Sequence, residues 1–228
     1  GQCIPMETLR KRNSWKPNTA DPTPAGSYDL VIKRTKYGLV TWRGMVNGVP
    51  TAFTTLRSTY LHEADSAIGF QMFNDPDEMG SASGFMNAAS KIGFAFNWFY
   101  VNSREAAYFT SADIPVRSPV SDPNLPMVAD EAHEWEGFDP ETNTATYLPA
   151  SAHPQAVDQD YFVSWNNKQA KDFSAADGNF SFGAVHRGDL LDAPLRDALA
   201  RGPVGTSDVV KIMAEAAVTD LRGWKVLP

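Results

Sequence analysis

The sequence predicts an α+β fold, on three observations. Residues alternate with period two from Tyr28 to Lys33, and glycines divide the stretch that follows into short strand-like runs up to Leu56. Apolar residues recur at helical spacing between Asp77 and Ile92. The elements run strands, helices, strands, long loop, strand, helices, and they do not alternate strand with helix as a doubly wound sheet requires.

Residues 1–27 carry Pro5, Pro17, Pro22 and Pro24 and read as irregular. From Ser27 the pattern changes. Tyr28, Leu30 and Ile32 alternate with Asp29, Val31 and Lys33, and Gly38, Gly44 and Gly48 divide residues 27–58 into three or four short strands. Asn47-Gly48 predicts a tight hairpin turn, because both residues tolerate positive φ. A helical pair follows over Ala64–Asn74 and Asp77–Ile92, broken at Asp75-Pro76. Phe94–Val101 and Ala106–Thr110 predict a hairpin with Phe94, Phe96, Trp98 and Tyr100 on one face.

Residues 111–157 are rich in proline and predict a long loop tract, of the kind that serves function or wraps another part of a protein. Tyr161–Trp165 reads as a short apolar strand. Helices are expected over Asp189–Ala200 and Ser207–Leu221, with Thr206 or Ser207 as cap of the second. The expected organisation is a β-rich subdomain over 1–62, with an irregular start, and a second part over 63–228.

Composition narrows the function classes. Of 228 residues, 43% are hydrophobic and 21% charged, which is a globular balance. The formal net charge is −7, and the basic groups, Arg10–Arg12 and Lys33, Arg34 and Lys36, are small. A nucleic-acid partner is not expected, because phosphate binding needs a clustered positive surface. No apolar run approaches the ~18 residues of a membrane span, so no membrane partner is expected. Cys3 is the single cysteine, which excludes a disulfide within the chain.

The chain opens on Gly1-Gln2-Cys3 rather than Met, so a true start upstream is expected. His62, His133, His153 and His186 form no zinc pattern. No phosphate loop, dinucleotide fingerprint or nucleophile elbow is present, and no organic cofactor is expected.

Three sites remain as candidates. Cys3 is either an unpaired thiol in a loose end or a nucleophile exposed by processing. Trp165-Asn166-Asn167-Lys168 is either an Asn-rich turn or the end of a strand that aims an amide at a developing oxyanion. His186-Arg187-Gly188-Asp189 opens a helix, with Asp189 as cap or first-turn acid and Arg187 either a surface ion-pair former or an inward functional cation.

Several ordered motifs resemble the β chain of penicillin acylases, members of the amino-terminal nucleophile hydrolases. Phe96-Asn97-Trp98-Phe99-Tyr100, Ala107–Ser111 and Ile114-Pro115-Val116-Arg117 resemble that family's Asn-Trp hairpin and the Pro-X-Arg that ends it. Ser121-Asp122-Pro123-Asn124-Leu125-Pro126 resembles its Asp-Pro-X-Leu-Pro loop, and Asp160–Lys168 its Trp-Asn-Asn strand. Arg187 lies 21 residues after Asn166, near the family's essential arginine.

The resemblance implies a partial αββα core with a small β subdomain and a helical pair, and hydrolysis of linear amides by acyl transfer. It makes Asn166 and Arg187 catalytic, as oxyanion donor and electrostatic support. It places Phe96, Phe73 and Trp165 at the substrate, although core packing accounts equally for Phe96 and Phe73. It assigns Asp177 and the Pro123 carbonyl to a structural calcium. The partners it implies are a small amide substrate and the rest of an acylase, namely the α chain and the amino-terminal part of the β chain, with self-association through an exposed core face. The parent enzyme would be periplasmic or secreted.

No residue here matches the nucleophile, and Gln169 stands where the family commonly has proline. The chain is therefore expected to be a fragment, inactive alone. The alternative is a non-catalytic binding or structural module of related fold.

Overall fold

A computed structural model describes residues 4–173 and 186–219. Cys3 and Asp177 lie outside the described residues, as does the end of the last predicted helix. The fold is mixed α and β with antiparallel sheets. The chain divides into two compact units. The first comprises Gly1–Glu63, Ile114–Pro119 and Val128–Tyr147, and the second Ala64–Asp113, Val120–Met127 and Leu148–Pro228.

In the first unit, strands β1 (Glu7–Trp15), β2 (Gly26–Thr35), β3 (Gly38–Val46) and β4 (Val49–Thr55) form a sheet in sequential order. Strand β1 corrects the expectation of an irregular start. It pairs with β2 from Glu7↔Arg34 to Trp15↔Gly26. Cross-strand charge pairs, Glu7–Arg34 at 2.7 Å and Arg12–Asp29 at 3.4 Å, supply part of what apolar alternation usually supplies. A hydrophobic period therefore does not reveal this strand, and its prolines fall outside it.

The Asn47-Gly48 turn forms as expected, with φ of 50° and 79°. Residues 128–147 are tied in by polar contacts. Glu134 accepts hydrogen bonds from Lys36 Nζ at 2.6 Å and Tyr37 Oη at 2.7 Å. The buried Asn143 amide donates to the carbonyls of Arg57, Ser58 and Tyr60.

In the second unit the helical pair is shorter than its periodicity suggests. It consists of α1 (Ala67–Met72), a 3-10 turn (Glu78–Gly80) and α2 (Ala82–Ala89). Ser81 breaks the second segment with extended angles and caps α2, its Oγ accepting from Gly84 N at 3.1 Å. Gly69 permits close packing of α1 on α2, since a Cβ there would lie 2.7 Å from the Ala88 carbonyl oxygen.

Strands β5 (Phe96–Val101), β6 (Ala106–Ser111) and β7 (Gln155–Val157) form the second sheet, in that order. Asn102 closes the β5–β6 turn, its Oδ1 accepting from Arg104 N and Glu105 N. Ala82, Phe85, Ala89, Ala107 and Phe109 are buried at the core, and Phe73, Trp98 and Tyr100 pack against them. The face of β5 that carries Trp98 and Tyr100 thus seats the helices, as its alternation predicts.

Tyr161–Trp165 forms no strand. Strand β7 takes the free edge of β6, and Phe162 instead lays its ring against Phe99 and Tyr108, each at 6.1 Å between centroids. The segment crosses the sheet face rather than extending its edge. Helices α3 (His186–Arg201) and α4 (Thr206–Val218) follow, with Asp189 in the first turn of α3. The cap of α4 is Gly205 rather than Thr206 or Ser207. Its N–H donates to Asp208 Oδ2 at 2.9 Å, so a carboxylate inside the helix supplies the capping acceptor.

Candidate active site

The strap of residues 161–170 brings the expected oxyanion residue and the expected arginine to one place. Tyr161 Oη donates to Asp192 Oδ1 of α3 at 2.7 Å, and this bond is the main reason the Tyr161 hydroxyl titrates above its ordinary value. Phe162 anchors the strap to the hairpin. Beyond these anchors the chain bends at Trp165 and Asn166.

Asn166 adopts φ of 54°, a left-handed conformation that asparagine tolerates better than most residues. The two asparagines then divide the work. Asn167 Oδ1 accepts from Trp165 N at 2.8 Å and its Nδ2 donates to the Lys168 carbonyl at 3.3 Å, so Asn167 holds the turn. The exposed Asn166 amide makes no hydrogen bond among the described residues.

Arg187, the second residue of α3, places its guanidinium carbon 5.7 Å from the Trp165 ring centroid. Its Nε is buried and has no hydrogen-bond partner among the described residues. A buried donor without an acceptor is costly. Gly188 stands close to the turn, because a Cβ there would lie 3.8 Å from Asn167 Oδ1.

The expected substrate residues separate. Trp165 is half-buried on the strap beside Arg187. Phe96 lies on the helix-facing side of the hairpin, and Phe73, at the end of α1, packs against that side. Phe73 stacks on Phe85 at 6.0 Å and tilts against Trp98 at 4.9 Å, while Phe96 is 48% exposed and meets Trp98 edge-on at 5.3 Å. The other side of the hairpin carries Phe99 and Tyr108. With Phe162, Ala156, Gln155 and Gln169 they border a cavity of about 310 Å³ beneath the strap. Composition did not single out these residues. The signal was available in the alternation of β5, whose odd positions face away from the helices.

A model of the penicillin amidase family matches residues 1–228. The chain belongs to the penicillin amidase family. Penicillin G acylase of Escherichia coli is 31% identical over 91 residues, which is 39% of this chain and 10% of that protein. The structure is similar to the thermostable penicillin G acylase from Alcaligenes faecalis, with a TM-score of 0.68 and 20% identity over 92% of this chain and 34% of that one. At that identity the likeness is one of fold. This penicillin amidase family chain thus spans about a third of the solved relative and a tenth of the curated one.

Of the two calcium donors that the family resemblance implies, Asp177 lies outside the described residues. Beside Pro123, Asp122 Oδ1 accepts from Asn124 N at 2.9 Å and Nδ2 at 3.0 Å. No group of three His, Cys, Asp or Glu side chains converges among the described residues. No helix among them is long and apolar enough to cross a membrane.

Proposed function

We propose that this chain is the oxyanion-stabilising part of a penicillin-acylase-type amidase that hydrolyses linear amides. The observation that carries the reading is the uncommitted Asn166 amide, turned outward beside the Trp165–Arg187 stack. A nucleophile on sequence outside these residues attacks the amide carbonyl. Asn166 Nδ2 donates to the oxyanion as negative charge develops, the amine leaves with a proton, and water releases the acyl group. Arg187 raises the positive potential of the site. Trp165 gives the guanidinium an aromatic face 5.7 Å away.

On this reading β5–β7, with α1 and α2 on one face, form part of the αββα core, and the α chain and the amino-terminal part of the β chain supply the remainder. The half-exposed Phe96 is open to an acyl group, whereas Phe73 supports it from within the packing. Asp177 and the Pro123 carbonyl would be two donors of a structural calcium, completed by other residues. A periplasmic or secreted location follows from the same reading.

The test is Asn166→Ala in the enzyme assembled with its remaining chains. The expected loss is about 10²–10³ in kcat, the usual effect of removing one oxyanion donor, with little change in KM. A kcat within threefold of wild type overturns the role of Asn166. The 228-residue chain by itself is expected to give no acyl-enzyme burst with a chromogenic amide, and a burst would place the nucleophile inside it.

A further inference from the structure

Strand β1 is the edge of the first sheet. Its inner side pairs with β2 along all nine residues, Glu7 to Trp15, and no strand among the described residues takes its outer side. An open edge of this kind turns backbone N–H and C=O groups outward, where a further strand can use them.

The charge along this edge runs against that of the chain. Residues 7–35 hold six Lys and Arg against three Asp and Glu, in a sequence with a net charge of −7. Arg10, Lys11 and Arg12 are consecutive and exposed near the middle of β1. Alternation puts Arg10 and Arg12 on one face of the hairpin and Lys11 on the other. Arg12 is already engaged, with Asp29 at 3.4 Å and Ser27 Oγ at 2.7 Å. Arg10 and Lys11 make no ion pair or hydrogen bond among the described residues. The register gives the reason, because their partners across β2 are Val31 and Leu30. Within the plane of the sheet, a carboxylate can meet either cation only from the open side.

We infer that β1 accepts an extended acidic segment of another polypeptide as an added strand, with adjacent carboxylates opposite Arg10 and Lys11 and an apolar residue opposite Leu9. Directly opposed side chains in such a pair lie about 4.5–5.5 Å apart at Cβ, close enough for each carboxylate to reach its cation. Leu9 and Lys11 share a face with Leu30, which is 37% exposed, so the apolar residue extends an existing apolar surface. A second copy of this chain does not fit the edge. Antiparallel pairing centred on Lys11 would set Lys11 against Lys11 and Arg10 against Arg12, and like charges directly opposed destabilise a sheet. The surface lies in the first unit, and the inference stands apart from the amidase reading.

The test measures binding of a fluorescent peptide, Thr-Val-Glu-Glu-Glu-Val-Thr, to the 228-residue chain by anisotropy. A Kd on the order of 10–100 µM is expected at low salt, weakened about tenfold at high ionic strength. Backbone amide signals of β1 should shift on binding. Arg10→Glu combined with Lys11→Glu should weaken the peptide at least about tenfold, whereas Arg43→Glu, exposed on β3, should leave it unchanged. Two further peptides, methylated on one or the other alternate set of backbone nitrogens, keep the charge. One of them loses its ladder donors and should bind about tenfold more weakly than the other. Equal binding of both methylated peptides, or of an oligothymidylate of the same charge, is generic attraction for anions and overturns the inference. No binding at millimolar peptide overturns it too, and is the result if these charges serve only to keep sheet edges apart. Concentration-dependent dimers in sedimentation, abolished by the acidic substitutions, would place a second copy on the edge instead.

Discussion

The Arg187 guanidinium lies over the Trp165 indole, its carbon 5.7 Å from the ring centroid, and this pairing joins the start of α3 to the bend that carries Asn166. A planar guanidinium stacks where an ammonium does not. Arg187→Lys is therefore expected to behave like Trp165→Leu. A double-mutant cycle read from urea unfolding should return a coupling of about 0.5–1 kcal/mol. Strict additivity would show that the two side chains are merely neighbours.

Two glycines with positive φ should respond very differently to alanine. Gly48, at φ of 79°, has open space around it. Gly48→Ala should cost about 1–2 kcal/mol, the backbone penalty alone. At Gly38, φ of 96°, an added Cβ would overlap the Thr55 carbonyl. Gly38→Ala should exceed about 3 kcal/mol, because backbone rather than a flexible side chain must move. Urea midpoints of the two variants check the order.

The Glu134 cluster predicts opposite limbs in stability against pH. Hydrogen bonds first from Lys36 and then from Tyr37 hold the Glu134 carboxyl below its ordinary range. Its contribution is therefore complete above the unfolded value of about 4.3 and is lost as pH falls through the lower folded value. Lys36 is shifted upward, chiefly by its bond to Glu134, so its contribution is present below the unfolded lysine value and disappears only as pH rises through the folded one. Tyr37 is raised by burial first and by Glu134 second, with the same sign as Lys36. Glu134→Gln should lower Tm by no more than about 2–4 °C at neutral pH, since the groups are solvent-accessible. The difference from wild type should shrink as pH approaches 3, and a difference that persists there would disprove the assignment.

Calcium should do little to this chain by itself. A calcium site needs about 6–8 oxygen ligands, and no group of three His, Cys, Asp or Glu side chains converges among the described residues. Millimolar calcium against chelator should therefore move Tm by less than about 1 °C. A rise of several degrees would show that the chain completes a site alone.

Part of each unit was legible from pattern. The β5–β6 hairpin and the Asn47-Gly48 turn are local, so alternation and turn chemistry reveal them. Strand β1 was hidden because part of its stabilisation comes from charges on β2 rather than from its own apolar period. The reading of Tyr161–Trp165 as a strand failed for a related reason. An apolar run shows that a segment is covered, not whether it adds to a sheet edge or lies across a sheet face.

The candidate site divides in the same way. By itself the sequence determined the family, through ordered motifs along the chain, and it offered Asn166 and Arg187 as two separate possibilities. Only the tertiary structure decided that Asn167 spends its amide on the turn and leaves that of Asn166 uncommitted, that Arg187 meets Trp165, and that Phe99 and Phe162 face a cavity while Phe73 packs into the core. Residue type limits what a side chain is able to bond. Which bonds it makes depends on neighbours brought close by folding, and those lie 63 residues apart for Phe99 and Phe162 and 98 apart for Lys36 and Glu134.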